Sequence, residues 1–307
     1  MKIIKSLKSK GPIDKIQPEK IVKITDMGHI KEIVSMDKIC FSGPEITKID
    51  RDFYMVNETG EIKAYKHTDN RSQGLDSLRK TFKKIRHIIN YNFHGNANEL
   101  AFTLTYADNM MDAKQLYSDF KKFFMKLRYR YGKDIDYFCV VEPQGRGAWH
   151  CHVLLRFNAF DKVYISNADI AKIWGQGFVS VKALKKDIDN LGAYLSAYLG
   201  DIELTSENMK LSPCNEFEVK EVDVDGEKKR FIKGGRLYLY PTGMNIYRKS
   251  KGIKVPKSAW MRYSDAKKIV GSATPNYSSM FSIFDEDLLL NRIIYEQYNL
   301  KRSDSQD

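Results

Sequence analysis

The chain has 307 residues, 42% hydrophobic and 29% charged, which suffices for one large domain or two modest ones. No run approaches the roughly 18 apolar residues of a membrane span, and the basic N-terminus lacks the apolar core of a signal peptide; an intracellular, cytoplasmic protein with no membrane partner is expected. The net charge of +12 favours a polyanionic partner, because each neutralised phosphate releases counterions, although a lysine-rich surface also serves solubility alone.

Up to about residue 70, short β-type runs such as Glu32–Met36 and Asp52–Val56 alternate with turn residues, and the region reads as small and irregular. Residues 74–90 predict a helix, with Leu75, Leu78, Phe82, Ile85 and Ile89 on one stripe and Arg79, Lys80, Lys83, Lys84 and Arg86 on the other face. Residues 100–106 predict a strand and 112–130 a long amphipathic helix with Leu116, Phe120, Phe123, Phe124 and Leu127 inward. Strands follow at 135–142 and 148–157, joined by the turn Pro143-Gln144-Gly145-Arg146-Gly147, so they must form an antiparallel hairpin. A helix capped by Ser166 or Asn167 runs to 174, a short strand spans 177–181, and a helix covers 187–199 before Gly200. This alternation predicts an α+β domain, helices packed on a mainly antiparallel sheet. Beyond about Ile202 the pattern weakens. Residues 219–224 and 230–239 are expected to pair across Asp225-Gly226, a basic stretch covers 247–254, and the polar tail 303–307 is expected to be disordered. The expected division is a basic N-terminal region at 1–94, the central domain at 95–202 and a basic accessory region at 203–307. Cys40, Cys139, Cys151 and Cys214 form no CxxC pair, which points to reduced thiols and away from a cysteine-based zinc site.

Chemistry concentrates at two places. Period-two alternation puts His150 and His152 on one face of their strand, while Cys151, Val153 and Leu155 face the core. Two imidazoles so spaced can share one metal ion, or they are merely two polar residues on a half-exposed strand. Glu142 ends the preceding strand and can point to the same face. That carboxylate plus two imidazoles leaves positions open for water or phosphate oxygens; in solvent, Glu142 would be only a hairpin end. Non-haem iron oxygenases use the same ligand types, but within an HxD/E motif on an all-β scaffold. Tyr194 and Tyr198, four apart on a helix, stack their hydroxyls on one side. A tyrosine oxygen can attack phosphorus, yet Leu191, Leu195 and Leu199 beside them also suit core packing.

Taken in order, Phe102-Thr103-Leu104-Thr105-Tyr106, His150-Cys151-His152, and Tyr194 with Tyr198 resemble the three motifs of the HUH endonuclease superfamily of rolling-circle replication initiators. The similarity spans roughly residues 100–201. Asp108-Asn109-Met110, Arg146-Gly147-Ala148-Trp149, Leu237–Pro241 and Tyr247–Ile253 are similar to initiators from plasmids and mobile elements of Gram-positive bacteria. The resemblance implies an HUH-type fold, His150 and His152 as metal ligands with Glu142 third, and Mg2+ or Mn2+ as the metal. It implies Tyr194 or Tyr198 as the nucleophile, joined to the 5′ end of nicked DNA while the 3′ hydroxyl primes synthesis. Ala197 stands where two-tyrosine members often carry lysine, so Tyr194 ranks first.

Other readings remain beside this one: a conjugative relaxase or transposase with the same chemistry, a DNA-binding protein with a decayed nuclease site, and a metal-dependent hydrolase of small molecules. No Walker A sequence is present, so a host helicase is an expected partner, alongside single-stranded DNA and an origin duplex or hairpin. Arg79, Lys83, Arg146, Arg248, Lys249 and Lys251 are the candidate DNA contacts.

Overall fold

The computed structural model describes residues 2–9, 11–39, 44–65, 75–184, 190–192, 202–203, 219–224, 227–232, 236, 239–241 and 243–301. In chain order the elements begin with six strands, β1 (Lys2–Ser9), β2 (Ile21–Met27), β3 (Ile30–Met36), β4 (Ile46–Lys48), β5 (Phe53–Val56) and β6 (Ile62–Ala64). Then come α1 (Leu75–Asn92), β7 (Glu99–Thr105), α2 (Ala113–Tyr131), β8 (Ile135–Pro143), β9 (Trp149–Phe157), α3 (Asn167–Trp174) and β10 (Val179–Ala183). The last are β11 (Ile202–Glu203), β12 (Val219–Val224), β13 (Glu227–Ile232), β14 (Tyr247–Lys249), β15 (Ser258–Arg262), α4 (Tyr263–Val270), β16 (Tyr277–Asp285) and β17 (Leu288–Asn299). The chain is α+β, with large antiparallel sheets and four helices among the described residues.

Contacts group the chain into two compact units, Asp69–Val255 and a second made from both ends, Met1–Thr68 with Pro256–Asp307. The central unit carries a five-stranded sheet in the order β10-β7-β9-β8-β14 and a three-stranded sheet β11-β13-β12. Helix α1 falls in this unit rather than with the residues before it. Its Leu78, Ile85, Ile88 and Ile89 are buried, each burial favouring the fold by about 1.5–3 kcal/mol. Helix α2 starts where the Asp112 carboxylate accepts the Lys114 and Gln115 amides, and α3 where the Ser166 hydroxyl accepts that of Asp169. Inward-facing rings join α2 and α3 to the sheet: Phe124 lies 4.5 Å from Tyr137, and Trp174 lies 5.1 Å from Tyr106. Cys139 and Cys151 are free and buried on this side, whereas Cys40 and Cys214 lie outside the described residues.

The terminal unit has a six-stranded sheet, β1-β16-β17-β3-β2-β15, and a small β4-β5-β6 meander. Its core joins Val22, Ile24 and Ile33 of the sheet to Ala266 and Val270 of α4. The reading of the first 70 residues as small and irregular, and of the C-terminal flank as weakly patterned, is corrected here. Strand β3 pairs with β17 and β2 with β15 across more than two hundred residues, so the pairing that orders these segments has no local signature. The hairpin expected at 219–224 and 230–239 exists, but its second strand is β13, ending at Ile232.

Candidate functional site

The β8–β9 register sets His150 opposite Glu142 and His152 opposite Val140. On the other flank, β7 sets Thr105 opposite His150 and Thr103 opposite His152. Directly paired residues of antiparallel strands share a face. The two histidines, Glu142, Thr103 and Thr105 therefore stand together, and the first and second sequence motifs become neighbours. Cys151 and Val153, between and after the histidines, are buried on the opposite face as alternation requires. The turn that closes the hairpin is held by the Gln144 amide on the Ala148 carbonyl and by Gly147 at φ 93°, a value that favours glycine. The Trp149 indole donates to the Met111 carbonyl at 2.8 Å and fixes the start of β9.

Glu142 is buried, not the solvent-facing hairpin end that was one reading of it. Its Oε2 lies 3.0 Å from His152 Nε2, and its Oε1 forms a 2.8 Å ion pair with Arg236. Arg236 also donates to the Pro143 carbonyl at 3.1 Å. The other imidazole nitrogen of His152 lies 3.5 Å from the Thr103 hydroxyl. His150 Nε2 is buried and has no hydrogen-bond partner among the described residues. Burial, then His152, then the guanidiniums of Arg236 and Arg146 push His150 down to about 4 against the pull of Glu142. At neutral pH His150 is thus an uncharged imidazole with an unused nitrogen, the form in which histidine ligates metals. The donor set suits a divalent cation: two imidazoles and a carboxylate on one face, one nitrogen left unsatisfied. Among the described residues no three His, Cys, Asp or Glu side chains stand arranged around a common metal position.

The remaining expected site residues divide. Arg146 is exposed beside the site, its guanidinium held by Gln144 Oε1 and the Tyr106 carbonyl. Lys83 is exposed on α1, and the Arg79 side chain lies outside the described residues. Arg248 stacks 3.6 Å over the Tyr117 ring, Lys249 Nζ donates to the Ile253 carbonyl, and Lys251 is exposed. Arg248 and Lys249 border a cleft of about 330 Å3 that Thr81 of α1 and Met244 also line.

Tyr194 and Tyr198 lie outside the described residues, but the segment just before them is anchored. The Gly192 amide donates to Asn90 Oδ1 at 2.7 Å, and Asn90 Nδ2 donates to Asn190. A Cβ at Gly192 would collide with the Arg86 carbonyl of α1, so only glycine allows this approach. Sequence reasoning missed Arg236 because the run around it shows no periodicity and Glu142 is far away in the chain. It also missed Asn90, an amide on a helix whose pattern announced only apolar and basic faces.

Among the described residues no helix is long and apolar enough to cross a membrane. No curated protein matches the chain. Residues 99–203, about a third of the chain, from β7 across the histidine hairpin to β11, match a family model of replication-associated proteins of the ORF2 type.

Proposed function

We propose that the central unit is a metal-dependent endonuclease specific for single-stranded DNA, which nicks and rejoins an origin to initiate rolling-circle replication. One observation carries this reading: the neutral His150, with its unsatisfied Nε2, shares a sheet face with His152 and Glu142 inside the segment similar to replication-associated proteins. His150 and His152, with Glu142, would hold Mn2+ or Mg2+, and a bound cation would polarise a phosphate oxygen and stabilise charge developing there. A mixed nitrogen and oxygen set favours Mn2+, since Mg2+ prefers oxygen ligands. Tyr194, or Tyr198 in its place, supplies the nucleophile. Its oxygen forms a bond to phosphorus as the bond to the 3′ oxygen breaks; the tyrosine gives up its proton and the 3′ oxygen takes one up. Rejoining is the reverse step. Arg146 and Arg236 lend positive potential beside the scissile phosphate, and Arg79, Lys83, Arg248, Lys249 and Lys251 contact the DNA backbone of the origin duplex or hairpin. A host helicase unwinds the duplex.

A second reading, a DNA-binding protein with a decayed nuclease site, draws on Arg236, whose guanidinium already neutralises Glu142. A relaxase or transposase would share the proposed chemistry and differ in its DNA. The test uses labelled single strands from both sides of the element's own origin, with Mn2+, Mg2+ or EDTA, run on denaturing gels. The expected result is a metal-dependent covalent adduct that His150→Ala abolishes and that Tyr194→Phe or the Tyr194/Tyr198 double variant removes. DNA binding without an adduct on any strand would overturn the nuclease reading and leave the binder.

A further inference from the structure

Phe178 is 76% exposed although it belongs to a tightly built turn. Helix α3 ends at Gly175 in the left-handed conformation, and the Ala107 amide donates to the Gln176 carbonyl. At Gly177 a Cβ would meet the Thr105 carbonyl at 2.6 Å, so the backbone lies flush against the end of β7. The Thr105 amide then donates to the Phe178 carbonyl at 2.9 Å and carries the β10–β7 register one residue past Val179 and Leu104. Phe178 therefore opposes Thr105, which opposes His150, which opposes Glu142. These four residues form one row across four strands on one face of the sheet. The next row is Ser180, Thr103 and His152, and Lys182 follows on the same edge of β10.

The opposite face of this edge behaves as core, with Leu104 and Phe102 buried under the helices. An exposed aromatic ring by itself says little. This one is fixed by two glycines and a backbone ladder, and it stands two strands, about 10 Å, from His150. A hydroxyl and a cation follow it along the same edge of a chain carrying a charge of +12. Aromatic faces interleaved with cations are how proteins hold unpaired nucleotides, because every base has a face to stack and every linkage a charge.

Resting on the nuclease reading above, we propose that Phe178 is a stacking platform for an unpaired base next to the phosphate held at His150 and His152, with Ser180 and Lys182 guiding the backbone along β10. Phe178 would then position the scissile strand and help to confine cleavage to single-stranded DNA.

The test measures binding of 30-nucleotide single strands from the origin by fluorescence anisotropy in EDTA, with each position near the nick made abasic in turn. The proteins are wild type, Phe178→Ala, Phe178→Trp and Tyr164→Ala, the last removing an exposed ring elsewhere on the unit. Phe178→Ala is expected to weaken binding roughly 5- to 100-fold. Phe178→Trp should restore binding and Tyr164→Ala should leave it unchanged. One abasic position should cost the wild type as much as the alanine variant loses, and cost that variant nothing more. Unchanged melting of Phe178→Ala shows that the loss is local. If Phe178→Ala binds like wild type, or loses equally on duplex and single strands, the platform is wrong while adduct formation by the wild type still upholds the nuclease. If the wild type forms no adduct, the nuclease reading fails, and the platform so defined fails with it.

Discussion

Glu142 meets three demands at once: it is buried, it is ion-paired, and it lies beside two imidazoles. Arg236 reconciles the first two, with one terminal nitrogen on the carboxylate and the other on the Pro143 carbonyl. Removing the guanidinium leaves a buried carboxylate without that cation. Arg236→Ala is therefore expected to cost roughly 3 kcal/mol in urea unfolding with EDTA present. Arg236→Lys should recover only part of that, because an ammonium has no planar fork to bridge two acceptors. An alanine variant as stable as wild type would mean the carboxylate has found another counterion. The histidine pair was legible in the sequence because alternation along one strand fixes the facing of its side chains. Arg236 was not, because an ion pair between residues 94 apart leaves no trace in local pattern.

At the scale of elements, the basic stretch after β14 is a pinned loop. Ser250 Oγ donates to Asp136 Oδ1 at 2.7 Å, Arg156 and Asn158 donate to Asp136 Oδ2, and the Lys254 amide donates to Asn92. A Cβ at Gly252 would strike the Asp136 carboxylate, so glycine is required where the loop crosses β8. Burial pushes the Asp136 carboxyl up, but Ser250, Asn158 and Arg156 together outweigh it and hold the group below the ordinary carboxylate range. A depressed carboxyl stabilises the fold above its unfolded pKa of about 4, and that contribution is lost as pH falls through the folded value. Thermal melts from about pH 6 to pH 2 should thus show wild type losing stability faster than Asp136→Asn below pH 4. Parallel curves would show that the carboxylate carries no such contribution. The sequence announced this loop as basic, and its anchor only appeared once β8, β9 and α1 were assembled.

The whole chain carries a net charge of +12, with Arg146, Lys182 and Lys251 exposed on the central unit. Under the proposed function, the logarithm of single-strand affinity should fall linearly with that of salt, by about 0.7 per phosphate contacted. Lys251→Glu should weaken binding on every sequence and make that slope shallower by close to one contact. A slope unchanged in this variant would remove Lys251 from the interface. Arg248→Glu is a poorer probe, because it also removes the guanidinium from Tyr117.

By itself the sequence determined the α+β class, the three helices of the central unit, the cap at Ser166, and the shared face of His150 and His152. These follow from backbone geometry acting within a few residues, through the 3.6-residue turn of a helix, the two-residue repeat of a strand and an amide-accepting side chain at a helix start. Only the tertiary structure decided that Thr103 and Thr105 flank the histidines, that Arg236 meets Glu142, that Phe178 ends their row, and that both chain ends build one sheet. Those arrangements depend on which strands pair and in what register. Burial and backbone hydrogen bonding between distant segments choose that register, and no local period records the choice.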